Sequence, residues 1–374
     1  MKLLAYVPIL TPRIKYIFNF IFRDVLKTDI AFSSNLAEFK ASSMAKMSYA
    51  AQPVADELHF GQVEFLLDHK ITKVTFKTTA FGDTIVPFAV QGGALPFDVF
   101  AASFYFVSRY EEYLPYTPGP NGAYPSELSL QSRLKILQIP VIDGWALLMK
   151  NLLLKKYPQL LFGQKSFTLV PLMCMYPGQQ TSSGIISSAR SLIRAARAIV
   201  NQKLLEQEAA QCKTFVQEHW DKYQLTGRFF HISAKDDDGE ANGEIVLPNA
   251  YLQLIKDATF NDYRMGYSNT IGFRAGTCTS FLWYDLQLEK TTALRVHPIA
   301  INDISIKPEK LAYPEYIIET WRPLIETVQL LNGEFYFTWH LDTLVRGRKG
   351  KSARKLYAEM LYKFLSLPYD LRPQ

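Results

Sequence analysis

The stretch from Asn261 to Asp285 (NDYRMGYSNTIGFRAGTCTSFLWYD) constrains this chain most, because it sets Arg274 among Ile271, Gly272, Phe273 and Ala275. It reads as strand, turn, strand, then a short loop rich in small hydroxyl residues. The neighbours of Arg274 look like the end of a buried strand, where a lone guanidinium costs several kcal/mol unless it is paired. A carboxylate must therefore lie within hydrogen-bonding reach, Asp303 or another. Further on, VHPIAINDISI places Asp303 just past an apolar run, and GEFYFTWHLDT places His340 at the end of another. All three polar groups are thus expected at strand ends, where parallel barrels carry their chemistry.

With 374 residues there is material for two ordinary domains, or for one barrel with an addition. The 48% hydrophobic and 20% charged content is a globular balance with enough for a core. A net charge of +6 permits contact with anionic glycans or phosphates. It falls short of a nucleic-acid-binding signature, since the aromatic residues are not interleaved with the basic ones. Cys174, Cys212 and Cys278 are an odd number without CxxC spacing, which indicates neither a disulfide framework nor a zinc knuckle and fits a reducing compartment. MKLLAYVPIL is interrupted by Pro8 and reads as a first strand rather than a leader. IKYIFNFIF is broken by Lys15, Asn19 and Arg23, so no membrane span is expected, and the location expected is cytoplasmic.

Taken in order, Thr11 and Pro12 form an N-cap and first-turn pair, and Ile14, Ile17, Phe18, Ile21, Phe22 and Val25 recur at helical spacing. KVTFKT and TIVPFAV read as strands. QGGALPF lacks either phosphate-loop pattern and reads as a turn. Asp98 caps a buried helix, DVFAASFYFVSRYEEYL, near whose end Arg109, Glu111 and Glu112 form either a catalytic cluster or an ion-paired helix end. PYTPGPNGAYP is a surface loop, and a helix from Asp143 to Lys156 precedes a linker. This divides the chain into a smaller N-terminal α/β domain, 1–163, and a second domain, 164–374. The second opens with a strand from Phe167 to Met173 and a turn at Pro177 and Gly178, followed by a long helical tract from Ile185 to Tyr223 that breaks near Gln211. Its Arg190, Arg194 and Arg197 line one stripe, an anion-binding or simply solvated face. His231, in the strand GRFFHIS, reads as a hydrogen-bonded core histidine. The DDDGE loop fails as a calcium loop, because aligning its Gly239 puts Ala234 and Ile245 at ligand positions. Tyr313 to Leu331 is a helix, GEFYFTWH the last strand, and RGRKGKSARK a basic loop suited to an anionic glycan or a lipid-linked phosphate.

The tracts GFRAGTCTSFLWYDL, HPIAIND, FYFTWHLDTL and LPFDVFAASFYFVSRYEEYLPY together resemble bacterial polysaccharide deacetylase-like proteins that carry an extra N-terminal domain. The resemblance implies a distorted, degenerate (β/α) barrel of the polysaccharide deacetylase type over 164–374. In that superfamily one Asp and two His hold a divalent metal, and a second Asp acts as base. It implies that Arg274 orients the base, that Asp303 is the acidic residue of the fourth motif, and that His340 is the acid. Trp339, Tyr284 and Arg348 are then the candidate sugar contacts. The first motif departs from the family, because Cys174 and Tyr176 stand where its two acids belong, and no histidine pair occurs at three- to five-residue spacing. The reading that follows is a fold without its metal site, with zinc only as an alternative, that binds carbohydrate or acts as a scaffold in envelope-glycan assembly. Two other readings are an active N-deacetylase with rearranged ligands and a cysteine hydrolase pairing Cys278 or Cys174 with His340.

Overall fold

The chain opens with β1 (Leu3–Tyr6), after which Thr11 caps α1 (Pro12–Asn19) by accepting the Ile14 N–H. Pro12 holds the first helical position, where its missing donor is no loss. The apolar stripe runs on through a π-helical turn, Phe20–Val25, and all six apolar positions expected of it are buried. Next come β2 (Ile30–Ser33), α2 (Leu36–Ala41), β3 (Ala45–Ala50) and β4 (Leu58–Gly61), and the four strands form one parallel sheet in the order β2-β1-β3-β4. The computed structural model describes residues 2–119, 122–175, 189–231, 245–345 and 347–366.

KVTFKT is not the strand its alternation suggests. Only its last residue belongs to β5 (Thr78–Phe81), which pairs with β6 (Thr84–Pro87) as a hairpin, while Val74 and Phe76 pack on the N-terminal core. Alternation there marks a partly buried face with almost no strand pairing. Asp98 caps α3 (Val99–Val107) through the Phe100 and Ala101 N–H groups. This helix ends earlier than the sequence suggests, because Arg109 takes a left-handed φ of 53°. The turn drives Arg109, Glu111 and Glu112 back into the interior, where all three are buried. Two further helices, α4 (Leu130–Arg133) and α5 (Val141–Lys156), complete this half.

The second half contains β7 (Thr168–Met175), α6 (Ala189–Lys222), β8 (Arg228–His231), α7 (Asn249–Lys256), β9 (Asn261–Met265), β10 (Phe281–Asp285) and β11 (Lys290–Asn302). It ends with α8 (Pro314–Leu330), β12 (Glu334–His340), α9 (Leu341–Val345) and α10 (Gly347–Leu365). Among the described residues, β9, β11, β12, β7 and β8 lie side by side, all parallel, and β10 folds back antiparallel on the first part of β11. The last strand therefore sits beside the first, as in a closing barrel, and the result is a mixed α/β chain with a parallel half-barrel sheet. Tyr263 on β9 reaches the β8 side through Phe230, 5.2 Å between ring centroids, and beneath the Arg228 guanidinium, 5.3 Å from its ring. Contrary to the expected break near Gln211, α6 runs unbroken.

One correction changes the meaning of the central tract. Ile271 to Ala275 is not a strand end; it belongs to the connection between β9 and β10, which packs against the N-terminal half. Phe273 N–H donates to the Leu137 carbonyl at 2.8 Å, Ile142 N–H to Gly276 at 3.0 Å, and Gln131 Nε2 to Phe273 at 2.8 Å. Gly272, at φ 135°, lies so close to Leu137 that a Cβ would stand 2.5 Å from its carbonyl oxygen. The N-terminal hydrophobic core also continues past the linker into Phe281, Trp283, Leu294 and Val296. Pro177 and Gly178, the DDDGE loop, and the side chains of Arg190, Arg194, Arg197 and His231 lie outside the described residues. No helix among those described is long and apolar enough to cross a membrane.

Candidate functional site

Successive side chains on a strand point to opposite faces. On β12, Phe335, Phe337 and Trp339 join the core under the helices, with Trp339 edge-on to Tyr357 at 5.2 Å. Tyr336 faces the other way, into an inner cluster with Val170, Leu172 and Ile299. The register extends that inner face upward: Thr338 stands beside Leu172 on one side and Asn302 on the other, and His340 beside Cys174. The carboxyl ends of β7, β11 and β12 thus bring Cys174, Asp303 and His340 together.

Asp303 and His340 form a tight pair. His340 Nδ1 lies 2.6 Å from Asp303 Oδ1, while Oδ2 accepts the His340 backbone N–H at 3.0 Å and the Thr343 hydroxyl at 2.8 Å. An acceptor at Nδ1 places a proton there. Both side chains are buried, so the imidazole is oriented from below and from the side. Cys174, next in the row, is half-buried; burial first, then the Asp303 carboxylate, pushes its thiol up to about 12. At neutral pH it is a thiol and a poor nucleophile. Directly beneath His340 on the same face, the Thr338 hydroxyl is buried without a partner.

These groups do not fit the zinc site that the family resemblance implies. Asp303 already serves His340 and Thr343, and among the described residues no three His, Cys, Asp or Glu side chains converge.

A second polar group occupies the opposite end of the inner face. His297 stacks on Tyr263 at 4.2 Å, with Nε2 3.0 Å from Asn261 Oδ1 and Nδ1 within 3.1 Å of the Tyr336 hydroxyl. Ser280 Oγ donates to Glu334 at 2.5 Å. All are satisfied around a neutral imidazole, and burial, opposed only in part by Glu334, pulls its pKa from 6.5 down to about 4. Between those values the unfolded chain binds a proton that the folded one does not. The stabilisation is therefore full above about pH 6.5 and falls as the pH drops toward 4. We expect the unfolding free energies from urea titrations at pH 7 and pH 4.5 to differ by roughly 2 kcal/mol more for the native protein than for His297→Gln. Equal pH dependence of the two would remove this role.

Arg274 is far from the expected arrangement. Its carboxylate partner is Glu112 rather than Asp303, with Nε 2.9 Å from Oε1 and one terminal nitrogen 2.8 Å from Oε2. Its other bonds go to the carbonyls of Gly266 and Ile245, and the guanidinium lies 5.1 Å from the centre of the Tyr267 ring. Arg109 shares Glu112 at 2.7 Å and also binds Glu111, Gln131, Tyr267 and the Arg274 carbonyl. Burial alone would raise the Glu112 carboxyl, but Arg274 and Arg109 hold it below its usual value. Arg274, fully buried and bonded on every side, joins the two halves of the chain and offers nothing to a substrate.

The candidate sugar contacts are similarly displaced. Trp339 is in the core, because it alternates with His340 on one strand. Tyr284 is 1% exposed, packed on Tyr16 and Phe104 and bonded to Glu289 at 2.8 Å. Arg348 lies in α10, its side chain outside the described residues. Sequence reasoning missed Thr338 and Thr343, although the strict alternation from Phe335 to His340 marks Thr338 as an inner-face residue. It also missed Asp143, which binds the Thr277 hydroxyl, the Cys278 N–H and the Thr279 hydroxyl. No signal short of the tertiary contact identifies that role.

Residues 3–158 match the model of a family of unknown function, DUF7033. No curated protein and no solved structure matches the chain.

Proposed function

We infer that the second half is a polysaccharide deacetylase-like half-barrel that binds a carbohydrate on its inner face without metal-dependent hydrolysis. The observation that carries this reading is the row Asp303, His340, Cys174 on adjacent strand ends. The pairing of Asp303 with His340 supports reading them as the fourth-motif acidic residue and the acid of that resemblance, and Cys174, its thiol pushed up to about 12, takes the place of one of the carboxylates that would serve the metal site. The His340 imidazole, held in one orientation by Asp303, is a group suited to sugar hydroxyls, whose binding needs donors and acceptors with fixed directions.

Calorimetry with N-acetylated chito-oligosaccharides, run beside metal analysis and an acetate-release assay, tests the reading. Expected are binding that weakens about tenfold in His340→Ala, the loss of one hydrogen bond to a polar or charged group, no stoichiometric zinc, cobalt or nickel, and no acetate. Acetate release that disappears in His340→Ala would establish the active deacetylase instead. Failure to bind any such glycan would remove the carbohydrate assignment.

A further inference from the structure

Outside the half-barrel, α1 and the β10–β11 hairpin enclose a cleft of about 480 Å3 that includes Leu10, Lys15 and Lys290. Its acidic residue, Glu289, is neutralised internally: Arg13, itself buried, holds both carboxylate oxygens at 2.6 to 3.0 Å, and the Tyr284 hydroxyl adds a third bond. With Glu289 paired to Arg13, the cleft lining itself keeps the two positive charges of the exposed Lys15 and Lys290. The same rim carries aliphatic side chains in water. Ile9 is 60% exposed and Leu10 40%, in the loop after β1, and Leu288 is 60% exposed in the hairpin turn. Leu10 and Lys290 line one cleft, so these two segments lie side by side.

Exposed aliphatic side chains bracketed by lysines, with the cleft's own acid paired to Arg13, match the boundary of an anionic bilayer. There alkyl groups enter the acyl region and ammonium groups meet phosphates. A soluble anion would account for the lysines but not for three exposed aliphatic residues around them. We propose that this rim docks the protein reversibly on an anionic lipid surface, by Ile9, Leu10 and Leu288 entering the headgroup region and Lys15 and Lys290 pairing with lipid phosphate. The binding is peripheral and independent of the glycan reading.

Flotation of the full chain with phosphatidylglycerol-containing and pure phosphatidylcholine vesicles tests this. We expect binding to the anionic vesicles that weakens with added salt and is at least tenfold weaker on phosphatidylcholine. Lys15→Gln with Lys290→Gln should weaken it roughly 25-fold, about fivefold for each lysine. Ile9→Ser with Leu288→Ser should weaken it at least tenfold. All four positions are exposed, so circular dichroism melts should match the native protein and rule out misfolding as the cause. No binding to anionic vesicles overturns the proposal, as does binding indifferent to both double variants. Full displacement by millimolar inorganic phosphate would overturn it in favour of a soluble phosphate ligand.

Discussion

Replacing Glu112 with alanine lowers the melting temperature by about 10 °C, the largest effect we expect from any single substitution outside the glycine positions. Glu112 is the carboxylate common to Arg274 and Arg109, and all three side chains are at most 1% exposed. Removing it leaves Arg274 without a counter-charge in the interior, and breaking a buried pair from one side costs about 3–5 kcal/mol. At roughly 2–4 °C per kcal/mol for domains of moderate size, that gives the stated shift. Arg109 retains Glu111 at 3.1 Å, so the loss falls mainly on Arg274. Adding Arg274→Met to the Glu112→Ala background should therefore recover more than half of the stability, because the orphaned charge is then gone. A double-mutant cycle on thermal melts measures this directly. A Glu112→Ala melt within a degree of the native one, or an additive double variant, would show that the network is incidental.

Asp143→Ala should cost about 3 kcal/mol and release the segment from Thr277 to Thr279. Asp143 is buried in the first turn of α5, and its two oxygens accept from Thr277 Oγ1 at 2.6 Å, Cys278 N–H at 3.0 Å and Thr279 Oγ1 at 2.5 Å. Alanine leaves a buried backbone N–H and two hydroxyl donors without an acceptor, each worth on the order of 1 kcal/mol or more. The signature is specific, because Cys278 is fully buried and its thiol is pushed up, first by burial and then by Asp143. In the native protein it should resist Ellman's reagent. In Asp143→Ala it should react within minutes under conditions where the fold persists, and Asp143→Asn should lie between. An unreactive Cys278 in the alanine variant would mean that the segment is held by something else.

These two predictions concern contacts between distant parts of the chain, and that is where sequence reading stopped. The need of Arg274 for a carboxylate was legible, since any buried guanidinium has it. The identity of the partner was not, because Glu112 lies 162 residues away and reaches Arg274 only through the left-handed turn at Arg109. The sequence leaves Arg109, Glu111 and Glu112 open between a catalytic cluster and an ion-paired helix end, and the structure makes them paired charges at the joint between two halves. Near the candidate site, the resemblance directed attention to Asp303 and His340, and the structure brings them to 2.6 Å. Trp339 was misassigned although the pattern itself contained the answer, since a residue adjacent to His340 on a strand must face the other way.

What the sequence by itself determined is local: the Thr11 and Asp98 caps, the Pro314 helix start, and the strands β7 and β12. Each depends on residues within a few positions of one another, where backbone geometry and side-chain period leave little choice. The tertiary structure alone decided that the tract around Arg274 is a junction, that KVTFKT has a partly buried face but almost no strand partner, and that Cys174, His340 and Asp303 form one row. Those outcomes depend on which surfaces meet after the chain has folded back on itself, and burial there sets both the partner of a charge and the protonation of a thiol.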